Sequence, residues 1–270
     1  MLATWSGNNS SDSLPFQNEF PRTVWLLWLS GWESAPWMVK EVAKSYARHN
    51  PGWNIVCLDG DNYKQYVDIE YIDNPHIEAP AKSDILRVSL LAKHGGVWAD
   101  ATMLCFAPLD SWMHEALMPA EFWMYHGRDG GLGPASWFIA STNESYIMQR
   151  WKEVTDEYWT GRSKMHDYNW MDHLFKELMD TDPTFLTLWQ QVPYLYCEAE
   201  GQAAMLDGKV QDDSIHVKRI INKNPPYVLK LSHHGFPQDL SDSMKNMNGY
   251  HAIVLSYRRR PVYHTLERRT

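Results

Sequence analysis

Hydrophobic and polar positions change period several times along the chain, and each change marks an element. "RTVWLLWL", residues 22–29, is a β-branched and aromatic run bounded by the turn-like "SGWESAP", which predicts a buried strand. From Pro36 the period lengthens: Met38, Val42, Ala43 and Tyr46 fall on one face at helical spacing until Asn50-Pro51-Gly52 stops the run. "NIVCLDGDN", residues 54–62, is again a strand, with Asp59 at its end. Strand, helix and strand in that order predict a βαβ opening, parallel pairing and ligand contacts beyond the C-terminal strand ends.

Residues 83–94 predict the next helix, with Ser83 as N-cap and Gly95-Gly96 as its stop, and "VWADATML" follows as a third strand. Ile147, Trp151, Val154 and Tyr158, then Met171, Leu174, Phe175 and Leu178, repeat at helical spacing and predict two amphipathic helices in the second half. "YVLKLSHHG" (227–235) and "HAIVLSY" (251–257) predict late strands. There is no internal repeat and no linker rich enough to divide the chain. The expectation is an α/β fold with a helical elaboration in its second half. One domain over residues 22–257 would follow a flexible Ser/Asn-rich lead (1–21) and precede a basic tail (258–270).

Composition narrows the function classes. A hydrophobic content of 44% over 270 residues can fill a full core, so disorder is not expected for most of the chain. The formal charge of -8 argues against nucleic acid as a partner, because tracking phosphates needs a cationic surface. Cys57, Cys105 and Cys197 are odd in number and lack CxxC spacing, which fits a reducing compartment better than a disulfide framework or zinc site. "VWLLWL" is far short of the roughly 20 residues that span a bilayer, and the lead lacks the basic and apolar regions of a signal peptide. A soluble, cytoplasmic protein without a transmembrane segment is expected. The tail "SYRRRPVYHTLERRT" has five arginines; it is a candidate for peripheral contact with a membrane surface or a lipid-diphosphate acceptor, against the plainer reading of a solvated tail.

Candidate chemistry gathers in "SDILRVSLLAKHGGVWADAT", residues 83–102. Asp84 and Arg87, three apart, share a helical face and could form a surface ion pair or grip a polar ligand together. Asp100 ends an apolar strand, where an anion is costly unless solvated, hydrogen-bonded or bound to a cation. A divalent ion carrying a diphosphate is one solution. "GRDGGLGPASW" (127–137) matches neither GxxxxGK[ST] nor GxGxxG and reads as an acceptor-side or lid loop. No GxSxG elbow occurs.

"SDILR" followed by "GGVWADAT" resembles the sugar-binding region of glycosyltransferases with a DXD motif, most closely the capsular polysaccharide synthesis branch. The resemblance extends through "TVWLLWLSGWESAP", "HNPGWNIVCLD", "GPASWFIAS" and "KLSHH", roughly residues 22–235. It implies a GT-A fold, a Rossmann-like sheet flanked by helices that holds a nucleotide-sugar donor, UDP-linked more than GDP-linked, and passes its sugar to a glycan acceptor. Trp28 matches the aromatic that stacks on the base, with core packing as the alternative. Asp59 ends the neighbouring strand on the same donor side. Asp84 and Arg87 match the pair that grips donor sugar and phosphates, Trp98 the aromatic before the DXD, and Asp100 its first Asp.

Thr102 stands where the second Asp of that motif is expected, so one carboxylate is missing from the implied Mn²⁺ or Mg²⁺ shell; the capsular branch commonly has this variant. His233 or His234 matches a late histidine that serves similar enzymes as a metal ligand beside Asp100, against an ordinary loop histidine. The resemblance also brings an acid from "HDYNWMDHLF" to the acceptor: Asp172 is the candidate base for an inverting mechanism, while Asp167 reads better as a helix N-terminal acid. Catalysis would rest on Asp100, Arg87 and Asp172. The substitution at Thr102 motivates a second reading, a nucleotide-sugar or glycan-binding protein without transfer; a donor hydrolase is a third.

Overall fold

The computed structural model describes residues 20–118, 120–126, 135–193 and 227–231. Five strands form the main sheet: β1 (Thr23–Leu27), β2 (Asn54–Leu58), β3 (Gly96–Ala99), β5 (Phe122–Tyr125) and β6 (Ala135–Ser141). Their order is β2-β1-β3-β6-β5. The first three are parallel; β6 runs antiparallel to both β3 and β5. The parallel expectation thus holds for the opening unit, and the far half of the sheet reverses. β4 (Met103–Cys105) and β7 (Val228–Lys230) pair antiparallel in a separate ribbon, with Met103 opposite Lys230. The late strand over 251–257 and the basic tail lie outside the described residues.

Helix α1 (Trp37–His49) buries Met38, Val42 and Tyr46 of the apolar stripe together with Val39, leaves Ala43 partly buried, and is closed by Asn50, whose N–H donates to the Tyr46 carbonyl. Helix α2 (Ala79–His94) starts a turn earlier than Ser83, with Glu78 at its N-cap. Pro80 explains the shift: in the first turn its missing N–H has no intrahelical partner to lose, so the residue extends the helix backwards instead of blocking it. Two glycines end α2. Gly95 and Gly96 have φ of 65° and 94°, and a Cβ on Gly96 would lie 2.5 Å from the Thr23 carbonyl oxygen. Only glycine lets the chain reverse here and drop straight into β3 between β1 and β6.

"VWADATML" is not one strand. The Met103 N–H donates to the Asp100 carbonyl at 2.8 Å, closing a turn that parts β3 from β4. A short helix α3 (Met113–Leu117) precedes β5. The helical elaboration comprises α4 (Tyr146–Trp159), α5 (Trp170–Thr181) and α6 (Pro183–Gln191). The third of these escaped the periodicity reading because it is short. Its start is nonetheless written locally, as the Asp182 carboxylate accepts from the Phe185 N–H at 3.0 Å and Pro183 opens the helix. Trp98, Trp112, Trp123, Trp151, Trp159 and Trp170 are all fully buried, so many of the chain's tryptophans build core. No helix among the described residues is long and apolar enough to cross a membrane.

Candidate active site

Because β1, β2 and β3 are parallel, Trp28, Asp59 and Asp100 follow strand ends on one edge of the sheet. The antiparallel β6 begins at that edge and brings Ser136 and Trp137 to it. The tight reversal after α2 lays the helix back along β3, which sets Asp84 and Arg87 beside Asp100.

Arg87 is the hub. Its side chain is only 7% exposed, and Nη2 lies 3.1 Å from Asp84 Oδ1 and 3.3 Å from Asp100 Oδ1. Nη1 donates to the Ser136 hydroxyl at 2.6 Å and to the Ser136 carbonyl at 3.1 Å. Nε is buried with no hydrogen-bond partner among the described residues. The guanidinium also rides over the Trp98 ring, 5.4 Å from its centroid, a cation–π contact. The Asp84–Arg87 pair is therefore buried rather than a surface ion pair.

Asp100 is met from both sides. Oδ1 accepts from the Trp98 indole N–H at 3.1 Å as well as from Arg87, and Oδ2 accepts from Lys230 Nζ at 2.5 Å. Its backbone N–H donates to the Trp137 carbonyl at 2.9 Å, which fixes the carboxylate's direction. Burial opposes ionisation here, but Lys230 and Arg87 with the N–H donors outweigh it and hold the carboxyl below its usual range. The other two acids behave differently. Burial pushes Asp84 up to about 6 against the pull of Arg87, and the charges of Asp100 and Asp172 push the same way. Asp172, on α5, is also pushed up to about 6 by burial, with Arg87 and His173 opposing. So α5 brings Asp172 into the electrostatic reach of the cluster, and its Trp170 indole lies beside Asp84.

The remaining candidates divide. Trp28 is half-buried just past β1, its backbone N–H donating to the Leu58 carbonyl at 2.9 Å. Asp59 Oδ1 accepts from the N–H groups of Asp61 and Asn62, at 3.0 and 2.8 Å, which ties it into the turn after β2. Trp98 is 1% exposed, so it holds Asp100 from below instead of offering a ring face outward. Thr102 is buried, and its carbonyl accepts the Leu231 N–H at 2.8 Å, linking the turn to β7. Asp167 sits in the turn before α5, accepting from the Asn169 N–H at 2.7 Å and 3.2 Å from His173 Nδ1. His233 and His234 lie outside the described residues.

The described residues do not by themselves make a divalent-ion shell. No group of three His, Cys, Asp or Glu side chains among them could hold a metal, and both oxygens of Asp100 already accept hydrogen bonds. Two site residues escape the sequence reading. Ser136 sits in a stretch that reads as loop. Lys230 stands in "YVLKL", a charge inside an apolar strand, which is the same signal that marks Asp100.

The sequence matches the profile of the capsular polysaccharide synthesis protein family over residues 5–247, and the chain belongs to that family. Among curated proteins it is 27% identical over 184 residues to the glycosyltransferase afumC of Aspergillus fumigatus, covering 59% of this chain and 47% of that protein. It is 24% identical over 168 residues to the O-glycosyltransferase braB of Annulohypoxylon truncatum, covering 55% and 40%. The chain thus spans less than half the length of either relative. Among solved structures it is similar to the glycosyltransferase GlyE of Streptococcus pneumoniae, with a TM-score of 0.46 and 14% identity over 88% of this chain and 63% of that one.

Proposed function

We propose that this member of the capsular polysaccharide synthesis protein family is a glycosyltransferase of the GT-A type. It would move a sugar from a nucleotide-diphosphate donor, UDP-linked in preference to GDP-linked, to a hydroxyl of a glycan acceptor in polysaccharide or glycoprotein glycan synthesis. The observation that carries this reading is the cluster of Asp84, Arg87 and Asp100 at the ends of parallel strands, the edge where open α/β sheets take ligands.

Each residue has a task that follows from the leaving group. The nucleoside diphosphate departs with growing negative charge, and the buried Arg87 guanidinium, whose Nε still lacks a partner among the described residues, answers it. Asp100 and Asp84 accept hydrogen bonds from sugar hydroxyls. Trp28, half-exposed at the end of β1, offers a face to the base, a contact worth about 1–3 kcal/mol. Asp172, with its carboxyl raised to about 6, is ionised at neutral pH and suited to take the acceptor's proton. A divalent ion, Mn²⁺ or Mg²⁺, belongs to this reading only through Asp100 with His233 or His234, and would supply further charge neutralisation; no step here runs through it.

The test is a panel of UDP- and GDP-sugars, with and without Mn²⁺, on the wild type and Asp100→Asn. Binding of one donor with slow turnover, lost in Asp100→Asn, is expected. No binding of any nucleotide sugar under any metal condition would sink the donor-site assignment.

A further inference from the structure

We infer that Lys230 is a donor-binding residue that supplies, from inside the chain, the positive charge a divalent ion would otherwise bring to Asp100. The inference rests on the donor-site reading above and deepens it.

Lys230 sits in the least hospitable part of a strand for a charge. Tyr227, Val228, Leu229 and Leu231 are at most 2% exposed, and the lysine side chain itself is 17% exposed. The β4–β7 register puts Lys230 opposite Met103, just past the turn that carries Asp100, so the ammonium reaches Oδ2 at 2.5 Å. Stability alone does not explain that choice. Replacing a buried ion pair by packed apolar groups is often neutral or stabilising, because desolvation offsets the attraction. Apolar residues at both positions 100 and 230 would suit the fold as well as their neighbours do, yet both charges are present.

What a lysine adds is a mobile point charge with three donors on a flexible stem. With Arg87 locked by Asp84, Asp100 and Ser136, Lys230 is the cation of the cluster able to turn from a carboxylate to a phosphate oxygen. The geometry also makes Lys230 and a metal ion alternatives. Both need Oδ2 of Asp100, and a divalent ion placed there would meet an ammonium at hydrogen-bond distance. The cluster pairs three carboxyls, Asp84, Asp100 and Asp172, with two cations, Arg87 and Lys230. Among the described residues the cluster thus has no cation in surplus, and an incoming diphosphate is met as Lys230 turns from Asp100 toward it.

The experiment is calorimetric titration of the full chain with UDP and with GDP, in EDTA and in Mn²⁺, for the wild type, Lys230→Met and Lys230→Arg. Mn²⁺ alone is titrated in parallel, and near-ultraviolet circular dichroism checks folding. The expected result in EDTA is that the wild type binds one nucleotide, Lys230→Met binds it at least tenfold more weakly, and Lys230→Arg recovers most of the loss. Mn²⁺ alone should bind Lys230→Met more tightly than the wild type. A folded Lys230→Met that binds nucleotide in EDTA as the wild type does overturns the inference and leaves the donor site standing. A wild type that binds neither nucleotide in either condition overturns both.

Discussion

Asp84 lies between a guanidinium that favours its charge and a desolvated setting that opposes it, and the setting wins, lifting the carboxyl from 3.8 to about 6. A carboxyl raised on folding holds its proton more tightly in the native state. Its contribution to stability is therefore full below about pH 3.8 and is lost as pH rises through about 6. Asp84→Asn removes that loss. Relative to the wild type, the variant should gain up to about 3 kcal/mol between pH 4 and pH 7, offset by a pH-independent penalty for the lost Arg87 contact. Urea unfolding at the two pH values reads both; a difference that stays flat with pH would mean Asp84 carries no strain. Asp172 titrates in the same window, which is why variant and wild type must be compared at each pH. A carboxyl raised by burial thus stands beside one, Asp100, that its partners hold below the usual range.

At the scale of elements, the α2–β3 reversal is the feature on which the site's geometry depends. Gly96→Ala should cost about 2–4 kcal/mol, since it combines a positive φ with a backbone clash. Gly52→Ala, where a Cβ meets nothing within 4 Å, serves as the control. Denaturant midpoints measure both, and equal midpoints would refute the argument. Much of this level was legible in the sequence. The strand runs, the α1 stripe, the double glycine and the strand-end acids each carry their own local signal. The start of α2 misled because Ser83 is a good cap by type, whereas Pro80 one turn earlier is tolerated only in a first turn. The split of "VWADATML" was hidden because apolar residues lie on both sides of the turn. Lys230 has a local mark, a charge inside an apolar strand, but its partner lies far along the chain, and Ser136 has no local mark at all: its role depends on Arg87, 49 residues away, which no window contains.

For the molecule as a whole, β7 acts as a late fastener. It covers β4, carries Lys230 to Asp100, and is preceded by Tyr227, whose ring stacks on Trp112 at 4.4 Å between centroids. A chain ended after Pro193 should be markedly less stable, by several kcal/mol, because it uncovers apolar surface and leaves the Asp100 carboxylate without its ammonium. Chemical denaturation of the two lengths checks this; matching curves would remove β7 from the fold's support. The Lys230–Asp100 bond joins residues 130 positions apart. On a ribosome adding about 5–20 residues each second, about 6 to 26 seconds separate the emergence of the two groups. Through that interval the nascent sheet already has its hydrophobic framework while one carboxylate at its edge awaits a counter-charge. Completion of this edge of the sheet is then a late event in the biography of each chain, and the Lys230–Asp100 bond marks a molecule whose synthesis has run past β7.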